Sequence, residues 1–223
     1  MSSSVAATSP APAGARPPLT NSARLAQLRA KPRKPGEASF FYFDNHFRSE
    51  AVKVLPGEFF VHHEDILIMT TLGSCIAACI WDRDRRVGGM NHFMLPEGSG
   101  DSGRYGSFAM DQLIGELVKL GATRASMEAK VFGGGAVIEG MSTINVGKRN
   151  TSFVLEYLRT ERIPVVSKDV MDIYPRKVCF LPASGKAMVK RLAPTHSETF
   201  LAQDRLAQQK TAQPPAGGSI DLF

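Results

Sequence analysis

The sequence contains few cysteines and no long apolar run. Three cysteines among 223 residues exclude a dense disulfide framework and are typical of thiols that stay reduced. The apolar segments fall well short of the ~20 residues that a membrane-spanning helix needs, and the N-terminus lacks the apolar core of a secretory signal. We therefore expect a cytoplasmic protein without membrane insertion.

Acidic residues are scarce at the N-terminus, which concentrates the positive charge there. The formal net charge is +6, but residues 1–38 carry six basic residues against Glu37 alone. Residues 39–190 are nearly neutral, so the predicted folded part has no broad basic surface for nucleic acid. We expect no nucleic-acid binding, and the alternative is a weak contact of the basic tail with an anionic partner.

Composition divides the chain into three parts. Residues 1–38 form a basic Ser/Ala/Pro-rich segment that has little to bury and is predicted to be disordered, with at most one helical turn. Residues 39–193 are predicted to form one domain, large enough to fold as a monomer. Residues 194–223 are predicted to be a flexible tail with a short amphipathic helix near 200–209.

Strand and helix patterns alternate within the predicted domain. The run DILIMTTLG is a β-branched strand, and SFAMDQLIGELVKLG repeats apolar residues at helical spacing. The segment RKVCFLPASGKAMVKRL predicts a hairpin around its Pro-Ala-Ser-Gly turn. The mixture predicts an α+β or α/β fold with a mostly mixed sheet.

The candidate catalytic residues lie in one further predicted hairpin. It spans residues 70–95 and reads TTLGSCIAACIWDRDRRVGGMNHFML. A turn that pairs Asp82 with Arg85 places Cys75 directly opposite His92. Directly opposed residues share a face, with Cβ atoms roughly 4.5–5.5 Å apart. This arrangement favours a nucleophilic thiol with an imidazole base, because a free thiol has a pKa of ~8.5 and needs activation.

The segment before the cysteine fits this interpretation. Gly73 and Ser74 leave the backbone uncovered, so N–H groups near them could stabilise an oxyanion. Such a site must also be open to a substrate. The alternative is that Cys75 is a small buried hydrophobic residue, which is how Cys79 and Cys179 are interpreted.

Two other kinds of site are disfavoured. A zinc site from Cys75, Cys79 and His92 is not expected, because residues four apart on a strand are roughly 13 Å apart. The glycines of Phe132-Gly133-Gly134-Gly135 lack the rest of a phosphate-binding motif and predict a tight turn or a close backbone approach.

Several blocks together resemble the CheD family of chemoreceptor glutamine deamidases. The blocks are LGSCIAACIWD, GGMNHFMLP, KVFGGGA, INVGKRN and RKVCFLPASGKAMVK, in the family's order and over about residues 50–192. The resemblance implies an α+β fold, a mixed β-sheet sandwich flanked by helices, similar to cysteine-dependent toxin deamidases.

The resemblance also implies roles for individual residues. Cys75 would be the nucleophile, His92 the base, and Thr70 the threonine that holds the histidine, with Thr71 as the close alternative. Ser74 and Gly73 would support the oxyanion. No metal or organic cofactor is implied.

The implied reaction converts glutamines of methyl-accepting chemotaxis receptors to glutamate through a cysteine thioester. In some bacteria the phosphatase CheC is a partner of the family. Two other functions stay open: a receptor- or CheC-binding module with a vestigial cysteine, and a different thiol acyl transfer such as transglutamination or ester hydrolysis.

Overall fold

The computed structural model describes residues 21–96, 102–136 and 143–193. The predictions for residues 1–20 and for the C-terminal tail lie outside these ranges. Three α-helices are described: α1 (Asn21–Ala30), α2 (Gly106–Lys119) and α3 (Thr143–Thr160). None of the helices in the described ranges is long and apolar enough to cross a bilayer.

Ten strands form two mixed five-stranded sheets, which confirms the predicted α+β class. In chain order the strands are β1 (Phe40–Asp44), β2 (Ser49–Lys53), β3 (Phe59–His62), β4 (Leu67–Leu72), β5 (Ile76–Asp82), β6 (Val87–Asn91), β7 (Met127–Gly133), β8 (Val165–Val170), β9 (Arg176–Leu181) and β10 (Lys186–Arg191). The first sheet has the order β1-β2-β4-β9-β10 and the second β3-β6-β5-β7-β8. The predicted hairpin of β9 and β10 is confirmed.

Alternating side chains divide the interior into two apolar layers. One face of β5, with Ala77 and Cys79, packs against Ile68 and Phe180 of the first sheet. This layer, called the inter-sheet core below, lies between the two sheets. The opposite face of β5, which includes Ile80, packs against α2 and α3. The order is therefore sheet, sheet, helices, and β5 is buried on both faces.

The hairpin of β5 and β6 corrects the predicted register. Asp82 pairs with Val87 rather than with Arg85. The turn is longer because the Asp82 carboxylate accepts the N–H groups of Asp84 and Arg85 at 2.9 Å, and Arg86 adopts a positive φ of 55°. The shift equals two residues, so every side chain keeps its predicted face.

Helix α1 extends the ordered part on the N-terminal side of residue 39. The sequence predicted at most one helical turn here, but the helix spans ten residues. Leu25 and Leu28 are buried within the inter-sheet core, and Arg24 bonds to Glu50 and Glu64. Composition suggested that the entropy lost on ordering would keep this segment unfolded. Burial of the two leucines offsets that loss.

Candidate active site

Alternation along β4 decides which of two adjacent threonines faces the inter-sheet core. Ile68 and Leu72 lie in that core, whereas Met69 belongs to the outer face of the first sheet. Thr70 therefore points between the sheets, and Thr71 points outward. Thr71, the supporting residue or alternative partner named from the sequence, therefore lies on the opposite face of β4 from the inter-sheet core.

Thr70 and His92 form a short hydrogen-bonded chain. The Thr70 hydroxyl donates to the carbonyl oxygen of Val54 at 2.7 Å. The same Oγ1 lies 2.9 Å from His92 Nδ1, and its single proton is already used, so Nδ1–H donates to it. This fixes the tautomer: Nε2 carries the lone pair, and among the described residues it has no hydrogen-bond partner.

Cys75 lies on the same face as His92, although not directly opposite it. Ile76 and Phe93 exchange two backbone hydrogen bonds of 3.0 Å, which extends the β5–β6 register beyond the strands. Continuing that register places Met94 opposite Cys75 and makes His92 its diagonal neighbour. Diagonal Cβ atoms are roughly 7–8 Å apart or less, a distance that side chains of this length can bridge.

The glycine-rich segment after β7 holds the backbone around the cysteine. Gly134 N–H donates to the Cys75 carbonyl at 2.8 Å, and Gly135 N–H donates to the Gly73 carbonyl at 2.9 Å. Gly133 has a φ of 110°, and a Cβ there would lie 2.1 Å from the Cys75 oxygen. The predicted close backbone approach is confirmed.

Asn150 of α3 joins the same backbone and was not singled out from the sequence. Its Nδ2 donates to the carbonyls of Ser74 at 3.1 Å and Met94 at 2.8 Å, and the side chain is fully buried. The sequence signals were its place at the end of the INVGKRN block and a poor helix former on the buried face of an amphipathic helix. The carbonyls that it binds lie 76 and 56 residues away in sequence.

The expectation of an open pocket is wrong for this conformation. Cys75 is 3% exposed and His92 2%, because both lie against the inter-sheet core. Burial lowers the pKa of His92 to about 4; the nearby Val54 carbonyl opposes this shift and the charge of Lys53 adds to it. The imidazole is therefore neutral at physiological pH and can act as a proton acceptor.

The other two cysteines show the character expected of buried hydrophobic residues. Cys79 and Cys179 are buried, and burial raises the pKa of both thiols, so neither forms a thiolate readily. Within residues 21–96, 102–136 and 143–193, no group of three His, Cys, Asp or Glu side chains is arranged to hold a metal ion.

Comparisons with known proteins agree with the motifs. Residues 94–191 match the model of a family described as CheD chemotactic sensory transduction. A protein of Albidiferax ferrireducens named "Probable chemoreceptor glutamine deamidase CheD 1" is 63% identical over 90% of this chain and 87% of its own. This chain belongs to the CheD family. A CheD relative of the same name from Dechloromonas aromatica is 51% identical over 82% of this chain and 93% of its own.

Proposed function

We propose that this CheD protein is a protein-glutamine glutaminase that deamidates chemoreceptors with Cys75 as nucleophile. The observation that carries the proposal is the Thr70–His92 pair, which presents an unprotonated Nε2 on the face that also bears Cys75. Its relatives are named chemoreceptor glutamine deamidases, which supports the choice of a glutamine side chain as substrate. We further infer that its fold is related to that of cysteine-dependent toxin deamidases.

The first half of the reaction forms a thioester. His92 Nε2 accepts the proton of the Cys75 thiol as the sulfur attacks the carbonyl carbon of the glutamine carboxamide. The C–N bond then breaks while protonated His92 returns the proton to nitrogen, and ammonia leaves. Thr70 keeps the imidazole in the tautomer that this exchange requires.

The second half releases glutamate. Water replaces ammonia, His92 Nε2 accepts one of its protons, and the oxygen attacks the thioester carbon. The C–S bond breaks and the sulfur recovers its proton from His92. In both halves we assign oxyanion stabilisation to backbone N–H donors near Gly73 and Ser74. Their segment is held by Asn150 and by the glycine-rich segment after β7, residues 133–135, called the glycine loop below.

The substrates are glutamines on methyl-accepting chemotaxis receptors, and each turnover adds one negative charge to a receptor surface. Such a local change in charge can bias a bistable signalling element. The proposed protein is a cytoplasmic monomer without a cofactor, with the phosphatase CheC as an additional partner. Its deamidase domain spans about residues 39–193, with α1 packed on it and residues 194–223 as a C-terminal tail.

Burial of the catalytic pair adds a requirement. Cys75 and His92 are too enclosed in this conformation to admit a glutamine side chain. The reactive complex therefore forms only when groups that cover Cys75 and His92 move aside to admit the amide, while the two segments that carry the pair stay in register. Binding of the receptor supplies the free energy for that opening.

Intact-mass analysis of a receptor cytoplasmic fragment tests the proposal. Wild-type protein should convert glutamine to glutamate, release ammonia and raise the fragment mass, whereas Cys75→Ala should do neither. Cys79→Ala is the matched control, because Cys79 is equally buried in the same inter-sheet core, and it should keep its activity. Full activity of Cys75→Ala would overturn the proposal, and receptor binding without turnover by wild type would favour the binding module.

A further inference from the structure

Two separate backbone segments must be held in register for the proposed reaction. Cys75 follows Ser74 in the segment that leads into β5. His92 lies two residues before Met94 in the segment that leaves β6. Beyond the Ile76–Phe93 pair, the backbone ladder of these two segments ends. His92 is held within the ladder, where its backbone N–H bonds to Glu58 O and its carbonyl accepts from Gly57 N–H. Cys75 lies beyond the last pair, so the position of the thiol relative to the imidazole depends on what holds the segments together past that point.

The Asn150 amide supplies such a tie. One Nδ2 donates to both Ser74 O and Met94 O, so each of its two protons is bonded to a different segment. Both acceptors are carbonyl oxygens, which cannot donate a hydrogen bond. The Asn150 amide must therefore direct its NH2 group, and not its oxygen, toward them. A single side chain thereby links Ser74, which precedes Cys75, to Met94, which lies opposite Cys75.

The position of helix α3 places the Asn150 amide beside these two carbonyls. A Cβ on Gly147 would lie 2.4 Å from the carbonyl oxygen of Gly134, so the helix backbone touches the glycine loop directly. Gly134 in turn bonds to Cys75. Asn150 lies one helical turn beyond Gly147 and points to the same place.

The Asn150 side chain is costly to keep at this position. It is fully buried, and its Oδ1 has no hydrogen-bond partner among the described residues. An unsatisfied buried acceptor destabilises the fold. An apolar residue would remove that unsatisfied acceptor but would leave the carbonyls of Ser74 and Met94 without this donor. The two donated bonds are therefore what the amide contributes at this position.

We propose that Asn150 is a positioning residue for the deamidase reaction, one that sets the spacing of Cys75 and His92 through the carbonyls of Ser74 and Met94. This inference rests on the proposed function. Loss of the tie misplaces the nucleophile relative to its base and leaves the receptor-binding surface unchanged. Its effect therefore falls on kcat and not on KM.

The test compares Asn150→Ala and the nearly isosteric Asn150→Asp with wild type in the receptor-fragment assay. Both variants should lose about 100-fold in kcat with KM unchanged, as expected for a displacement near 1 Å. Wild-type kcat in either variant would overturn the inference. A variant that is unfolded at every temperature would also count against it, because Asn150 would then hold the fold and not the site.

Asp82→Asn is the control for stability alone, because the amide oxygen can still accept the turn N–H groups of Asp84 and Arg85 that set the β5–β6 register. The Asp82 carboxylate is buried and accepts hydrogen bonds from Thr123 and Ser126, but it lies seven residues along β5 from Cys75, roughly 23 Å away. This variant should melt at a lower temperature and keep its kcat. Cys75→Ala separates the two proposals: if it is active, the proposed function fails; if it is inactive while Asn150→Ala is fully active, only the positioning role fails.

Discussion

Thr70 and His92 belong to different sheets, yet the threonine hydroxyl lies 2.9 Å from the imidazole Nδ1. Thr70 is in β4 of the first sheet, and His92 follows β6 of the second. The orienting hydrogen bond therefore crosses the inter-sheet core. Packing of the two sheets is what brings Thr70 to His92, so the stability of the sandwich and the orientation of the imidazole are coupled.

Thr70→Val should lower kcat by about 100-fold, because the imidazole loses the group that fixes its tautomer, a loss comparable to that of a general base. The adjacent Thr71→Val is a matched control, since its side chain points away from the inter-sheet core. Thr71→Val should keep wild-type kcat in the receptor-fragment assay. Equal losses in the two variants would contradict the assignment.

His92 should make the protein sensitive to acid. Its pKa is about 4 when folded and 6.5 when exposed, so the unfolded chain binds more protons between these values. Stability should be complete above pH 6.5 and should fall as the pH drops toward 4, by on the order of 3 kcal/mol. Urea unfolding at several pH values measures this loss.

The corresponding control is His92→Gln, which does not titrate. The half-buried His62 also has a lowered pKa, but it is present in both proteins, so the difference between them isolates His92. The variant should lose less stability than wild type between pH 6.5 and 4. Parallel pH curves for the two proteins would show that His92 is not buried as a neutral base.

Sequence patterns located the hairpin and the residues of the proposed site but could not choose between Thr70 and Thr71. The reason is that β4 is buried on both faces, with Ile68 inside and Met69 on the outer face of the first sheet. A strand that is apolar on both sides shows no alternation of hydrophobicity. The family resemblance introduced the threonine but left both positions open, so the choice needed the packed structure.

Turn chemistry limited the prediction of register. The Asp82 carboxylate binds two N–H groups of the turn and selects a four-residue connection, a side-chain effect that residue spacing does not reveal. The same limit applies to Asn150, whose partners are distant in sequence. Local patterns predicted which faces are shared, whereas tertiary contacts decided which residues meet.

Gly133 should not tolerate a side chain. Its φ is 110°, and a Cβ added there would lie only 2.1 Å from the Cys75 oxygen, so Gly133→Ala must displace the segment that carries the nucleophile. We expect a loss of about 1–3 kcal/mol or more in unfolding free energy, together with a lower kcat. Gly115→Ala, in α2 with no atom near its Cβ position, should instead stabilise by about 0.5–1 kcal/mol. A Gly133→Ala protein as stable and active as wild type would contradict the role given to the glycine loop.

Arg176 should be needed for the stability of residues 169–174, the segment that connects β8 to β9. Its guanidinium is fully buried and donates to Asp169 and to the carbonyls of Met171 and Tyr174. Arg176→Met should cost about 3–5 kcal/mol of unfolding free energy, because it leaves Asp169 and the two carbonyls without this donor.

Arg191→Met is the matched control, because Arg191 binds the same Asp169 carboxylate from a half-exposed position. Water can replace that partner, so the midpoint of urea unfolding should hardly change. The segment that Arg176 holds is bonded in turn to the glycine loop, through Met171 N–H to Gly133 O. Arg176→Met should therefore also reduce kcat at temperatures where it remains folded. Equal unfolding midpoints for the two variants would show that burial of the guanidinium contributes nothing to stability.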